Sequence, residues 1–328
     1  MRKPLSVLAV VVLSLACSST VQAQEWPARS VRLIVPASAG SSPDIAARIM
    51  ADKLVGAWGK QIVVDNRPGG NTVIGMEAGA RAAPDGHNLL FTHAAALTIS
   101  PYSIKSLPYD IEKDFVPIGF VGYSPMLITV ANDVPAKTLD ELIKLAKAQP
   151  GKLSFATPNA KNVPHLTGEL LNSTAGIRTL HVPYRSTAQA IQDTMGGQVQ
   201  ILIDGATSLI GAVKTGRIRA IALTAPQKLE GMENIPLAID TLPGFVISGW
   251  FAVVAPAGTP AAIVAKVNRD INQQLQVADT ISRLRDIGVV AQGGSPEALA
   301  QTMKKERAQY QKVIRDANIQ PDVMGVTQ

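Results

Sequence analysis

Ser41 and Ser42 close a stretch of small residues, Ala37-Ser-Ala-Gly-Ser-Ser-Pro43, just after an apolar run and just before an amphipathic one. Two chemistries can use such a loop. A serine hydroxyl paired with a distant histidine can attack an ester, which makes an exported α/β hydrolase using Ser41 or Ser42 the enzymatic alternative. The Gly-x-Ser-x-Gly elbow that exposes a hydrolase nucleophile is absent, however. The second chemistry is anion binding. Small side chains let a ligand approach the backbone. The free N–H groups and positive dipole end of the following helix then hold a carboxylate without a basic side chain. Pro158-Asn-Ala-Lys-Asn-Val-Pro164 repeats the arrangement, and Tyr184-Arg-Ser-Thr187 offers a third version. Capping its own helix is the structural alternative for each loop. Asp204 ends an apolar strand before Gly205, and two readings stay open: it meets a ligand amine or hydroxyl, or it only caps the next segment of the chain. Asp44 falls in a first helical turn, where an acid complements the dipole and its role is structural.

Other catalytic signatures are missing. His87, His93, His165 and His181 make no His-Glu-x-x-His or other close metal spacing, so no metal is expected. There is no Gly-x-x-x-x-Gly-Lys-Ser/Thr phosphate loop. Gly69, Gly70 and Gly75 follow Pro68 as a turn and helix start rather than a dinucleotide fingerprint, and no cofactor is expected.

The elements that must position these loops alternate. Val31–Val35 reads as a strand. Ser42 offers a cap oxygen to a helix with Pro43 in its first turn and Ile45, Ile49 and Leu54 on its apolar face. Residues 61–65 and 88–92 read as strands around a helix near 74–83. Thr138-Leu-Asp-Glu141 is a capping box that opens a helix to Ala148. Strands follow near 153–157, 179–182, 199–203 and 218–224, with a helix from about Pro164, and the tail is helical over 260–276 and 295–317. This grammar predicts an α/β protein with parallel or mostly parallel sheets covered by helices, their loops converging on one crevice at the carboxyl ends of the strands.

Composition is globular: 46% hydrophobic and 17% charged residues, with a formal charge of +6. The first 23 residues have the layout of a secretory signal. Arg2 and Lys3 lead into an apolar run from Pro4 to Ala16, and Val21-Gln22-Ala23 suits a signal peptidase. That run is short of the roughly 20 residues a bilayer span needs. Cleavage there leaves 305 of the 328 residues, starting at Gln24, with 29 basic and 25 acidic side chains. Lipidation at Cys17, the only cysteine, is the second choice, because Ser14 stands where lipoprotein boxes usually carry leucine. Without Cys17 the mature chain has no thiol for a disulfide or metal site. A net +4 without a basic stripe interleaved with aromatics argues against nucleic acid. Lys304-Lys-Glu-Arg307 reads as a solvated helix face.

An ordered set of segments resembles the Bug family, the substrate-binding proteins of tripartite tricarboxylate transporters. The set comprises Trp26-Pro27, Val31-Arg-Leu-Ile-Val-Pro36, Asp44-Ile-Ala-Ala-Arg48, Asp65-Asn-Arg-Pro-Gly69, Ala82-Ala-Pro-Asp-Gly86, Leu107-Pro-Tyr-Asp110, Lys113-Asp-Phe115, Val134-Pro-Ala-Lys-Thr138 and Pro150-Gly-Lys-Leu153. It continues through His165-Leu-x-Gly-Glu169, His181-Val-Pro-Tyr184, Gly196-Gly-Gln-Val199, Trp250-Phe251 and Ala255-Pro-Ala-Gly-Thr-Pro260. The resemblance implies a two-domain, type II periplasmic-binding-protein fold closing on a small carboxylate. Domain 1 would be 24–124 plus 245–328, and domain 2 would be 125–244. It also implies a periplasmic, non-enzymatic monomer that serves membrane permease subunits and holds its ligand through backbone N–H groups, hydroxyls and water. The expected site is Ser38, Ala39, Gly40, Ser41 and Ser42 with Thr92 and His93 on one side, and Thr157, Asn159, Asn162, Arg185 and Asp204 on the other. Three departures bear on the ligand. The family's Pro-Phe-x-x-Gly-Gly-Ser-Thr-Asp loop has Ala37, Ser41 and Pro43 here. His93 stands where relatives often carry a small residue, and Ser100 precedes Pro101 where asparagine is common.

Overall fold

The computed structural model describes residues 26–316 and 319–322. The expected leader and cleavage site, and Cys17, lie outside the described residues. In chain order the elements are β1 (Val31–Val35), α1 (Ser42–Trp58), β2 (Ile62–Asn66), α2 (Val73–Ala80), β3 (Asn88–His93), α3 (Ala94–Thr98), α4 (Ser100–Ser103) and β4 (Phe115–Val130). They continue with α5 (Leu139–Ala148), β5 (Ser154–Pro158), α6 (Val163–Ala175), β6 (Leu180–Tyr184), α7 (Thr187–Met195), β7 (Ile201–Gly205), α8 (Ala206–Lys214) and β8 (Arg219–Leu223). The last are β9 (Ser248–Pro256), α9 (Ala261–Gln274), α10 (Ala278–Asp286), β10 (Val290–Ala291) and α11 (Pro296–Asp316).

Strand order β2-β1-β3-β9-β4-β7-β5-β6 makes two lobes that share β4. Its first part, from Phe115 to Pro125, pairs with β9, and Met126 to Val130 pairs with β7 and β8. β1, β2 and β3 are mutually parallel, as are β5, β6 and β7. β4 and β9 run antiparallel to their neighbours, so the expected mostly parallel sheet is parallel only within each lobe. The reason is connectivity: the chain crosses between lobes along two adjacent antiparallel strands, and helical crossovers serve the rest.

Side chains on both sheet faces are apolar because helices cover both. In β1, Leu33 and Val35 pack with Met50 and Leu54 of α1 and Val267 of α9. Ile34 turns to the opposite face with Met76 and Leu90. That second cluster continues through Met126, Ile128 and Val130 of β4 to Phe155 and Leu166, so one core runs through both lobes. The Thr138 cap forms as expected, with Oγ1 accepting from Glu141 N–H at 3.2 Å, while the Glu141 carboxylate reaches one residue further back and accepts from Lys137 N–H at 2.6 Å. Glu306 departs from its expected solvated face. It is half-buried and accepts the Trp250 indole N–H at 2.8 Å.

Candidate functional site

Parallel strands deliver their following loops to one edge. The register that sets Ile34 beside Leu90 brings the loop after β1 to the level of His93 at the end of β3. Across from them lie the ends of β5, β6 and β7, and there the lobes touch. Ser42, the first residue of α1, meets Ser208 in the first turn of α8, Oγ to Oγ at 2.5 Å. Two helix N-termini therefore meet where the lobes touch. Each carries orphan N–H groups and a partial positive charge. Gly205 lies between them. A Cβ there would stand 3.5 Å from Ser124 Oγ and 3.6 Å from Ser42 Oγ. Ser124 in turn shares a 3.1 Å hydroxyl contact with Thr207. Ser124, Thr207 and Ser208 were missed from the sequence; the only signal was that Asp204-Gly205 ends a strand before another helix.

The loop from Ser38 to Ser42 is held from beneath by Asp44. Its carboxylate accepts Gly40 N–H at 2.7 Å, Asn66 Nδ2 at 3.0 Å and Arg48 Nε at 2.9 Å, and Asn66 also donates to Ala37 O. Burial alone would raise the Asp44 pKa, but bonds from Arg48, Gly40 and Asn66 outweigh it and hold the group below its ordinary value. Gly40 sits at φ +77°, and its N–H belongs to Asp44 rather than to the cleft. Ser41 is the helix-capping position, yet its hydroxyl donates to Ser38 O at 2.6 Å. The cap oxygen expected of Ser42 is spent on Ser208. Neither serine hydroxyl bonds a histidine among the described residues, so the hydrolase arrangement does not form. Ser38, Ala39 and Gly40 are exposed.

The remaining expected residues divide. Thr92 is fully buried and points its hydroxyl at Met76 Sδ, 3.4 Å away in the core, which removes it from the cleft wall. His93, next along the strand, points to the other face. It is half-buried, with no hydrogen-bond partner for its ring among the described residues, and burial lowers its pKa to about 4. Thr157 braces its loop: its hydroxyl donates to Asn159 O at 2.8 Å and accepts from His181 Nε2 at 2.7 Å. His181 stacks on His165 with ring centroids 3.9 Å apart. Burial first, and His165 second, hold His181 neutral with a pKa near 3. Asn162 caps α6, accepting from His165 N–H at 3.0 Å and donating to Pro158 O. Asn159 and Arg185 are exposed. Asp204 is 6% exposed and accepts Thr187 Oγ1 and Gly205 N–H, both at 2.7 Å. Burial pushes its pKa up to about 6, against those two bonds and one from Ser208. Of the two readings for Asp204, its visible bonds are those of a local brace at the start of α8.

Cleft, lobes and helix ends together have the layout of a ligand receptor. The profile of the tripartite tricarboxylate transporter family receptor matches residues 46–319. The chain belongs to that family. A UPF0065 protein of Bordetella bronchiseptica is 38% identical over 314 residues, covering 96% of this chain and 93% of that protein. R. palustris Rpa4515, solved with adipate, superposes with a TM-score of 0.86 at 29% identity, covering 91% of this chain and all of that one. MatC from Rhodopseudomonas palustris, with bound malate, gives 0.80 at 28% identity over 88% of this chain and all of that one. The family comprises receptors, not enzymes, and the fold is the two-domain binding-protein type. Among the described residues no helix is long and apolar enough to cross a membrane.

Proposed function

We propose that this protein captures a small organic acid between its lobes in the periplasm and presents it to membrane permease subunits. The observation that carries the reading is the pair of helix N-termini joined at Ser42 and Ser208, which offers hydroxyl and N–H donors where a carboxylate oxygen can sit. Adipate and malate in two relatives agree with that chemistry. The working domains are 24–124 plus 245–328 and 125–244. This division is supported by α9 packing on α1 and α11 packing on α3 and α4, which returns the C-terminal quarter to the first lobe. The site comprises Ser38, Ala39, Ser42 and His93 from the first lobe and Asn159, Arg185 and the Asp204–Ser208 turn from the second. The protein acts as a monomer and is exported by cleavage near Gln24 without lipid on Cys17, which mass spectrometry of the exported form tests directly. A melting-temperature screen of the mature protein against di-, tri- and monocarboxylates tests the ligand class. A ligand at 100 times its Kd adds about 2.7 kcal/mol of stability. A screen in which amines or sugars shift melting and acids do not would sink the reading.

A further inference from the structure

The loop at the head of α6 has an unusual backbone. Asn159 and Lys161 both have positive φ, at 62° and 57°, in the left-handed region that side chains bearing a Cβ rarely enter. Within its own lobe the loop is held by Asn159 N–H on Tyr184 O at 2.7 Å and by Lys161 N–H on His165 Nδ1 at 2.9 Å. A further restraint comes from the other lobe. Beyond α11 the chain returns as residues 319–322 and is stitched to the first lobe beside α4. Asp322 N–H donates to Ser103 O and Lys105 N–H to Asp322 O, each at 2.8 Å, around a parallel bridge between Ile104 and Asp322. From there Asp322 Oδ1 meets the Lys161 ammonium at 2.5 Å, and Gln320 O accepts from the same ammonium. Asn71, also in the first lobe, approaches Ala160 O at 3.5 Å.

We propose that Lys161 is a positioning residue: its ammonium ties the C-terminal segment of the first lobe to the cleft loop of the second, and so holds both the loop's shape and the closed arrangement of the lobes.

An ordinary surface ion pair contributes little, because two mobile side chains meet in water. This one differs on four counts. The Lys161 side chain is only 14% exposed. One of its two acceptors is a main-chain carbonyl, and its carboxylate partner is fixed by backbone pairing. The contact also bridges two bodies rather than decorating one. A closed state favoured by this tie is populated before ligand arrives, and apparent affinity scales with that population.

The tie is a property of the fold and not of the ligand, so it is tested without one. Cys17→Ser removes the only native thiol. Spin labels are then placed through Val55→Cys on α1 and Gln189→Cys on α7, both exposed and in different lobes. Pulsed electron–electron resonance gives the interlobe distance distribution. K161M and D322N are each expected to broaden it and move it to longer distance, and K161R to keep the parent profile. The charge-swapped pair K161D/D322K is expected to recover part of the shift. Asp322 is half-exposed, and its amide is close in shape, so D322N reads the tie in a folded protein. Distributions for K161M and D322N that superimpose on the parent would overturn the proposal.

Discussion

Ser42 and Ser208 are 166 residues apart in sequence and share one hydrogen bond between the lobes, at the point where the first turns of α1 and α8 meet. A neutral hydrogen bond contributes roughly 0.5–1.5 kcal/mol. Ser42→Ala should destabilise the ligand-free protein by about that much in urea titrations, and Ser208→Ala by more, because it also removes the Ser208 bond to Asp204. The double variant should cost little more than Ser208→Ala alone, because the contact with Ser42 is already lost there. Additive losses would mean that the two hydroxyls act independently.

Asp204 makes stability depend on pH in a defined window. Burial raises its folded pKa to about 6 from an ordinary 3.8. Below the lower value both folded and unfolded chains carry the proton. Between the two the folded chain binds more protons, so this group's contribution declines as pH rises from about 4 to about 6. Asp204→Asn removes the titration. It also leaves one of the Thr187 and Gly205 donors poorly matched, because an amide offers a single oxygen. The variant should therefore be less stable than the parent at pH 4. The gap should shift in its favour by on the order of 3 kcal/mol by pH 7. A gap constant from pH 4 to 7 would show that the carboxyl is not held protonated.

Glu306 gives the same sign at higher pH, with an optical readout. Burial pushes its pKa up to about 7, against the bond from the Trp250 indole. Its stability contribution is complete below an ordinary glutamate value near 4.5 and is lost as pH rises through 7. The chain has three tryptophans. Trp250 fluorescence should titrate with a midpoint near 7, and this component should vanish in Glu306→Gln. A pH-independent difference spectrum between the two proteins would contradict the assignment.

Much of the fold is legible where a single segment carries its own signal. Apolar spacing placed β1 and α1, and the Thr138 cap placed the start of α5. β4 was not legible. Pro117 and Pro125 break its pattern and ordinarily demote a strand, but here register shifts between Pro117 and Gly119 and between Phe120 and Gly122 accommodate the irregularity. The Ser42 hydroxyl looked like a cap because helix-start serines usually are. Its partner lies on another lobe, and no local pattern names it. Thr92 was misplaced for a related reason. A strand's last residues alternate between core and cleft, and only the contact with Met76 shows which of Thr92 and His93 faces inward.

The two remaining cleft variants separate backbone shape from charge. Gly40 has φ +77°, and a Cβ built there meets nothing within 4 Å, so a larger side chain extends into open space beside the loop. Gly40→Leu carries two penalties: about 1–2 kcal/mol for a left-handed conformation that leucine avoids, and occupation of the space where a ligand approaches Ser38 to Ser42. Gly40→Ala carries mainly the first. Arg185 is exposed, and a charge-assisted bond from it to a ligand would be weakened by water. Calorimetry with a carboxylate from the melting screen should show binding abolished in Gly40→Leu, reduced a few-fold in Gly40→Ala, and reduced in Arg185→Ala by less than the ten- to hundred-fold that loss of a sole cationic clamp, roughly 1.5–3 kcal/mol, would bring. Normal binding by Gly40→Leu would place the ligand away from the first-lobe loop. A hundred-fold loss in Arg185→Ala would replace the helix-terminus mechanism with an ion pair.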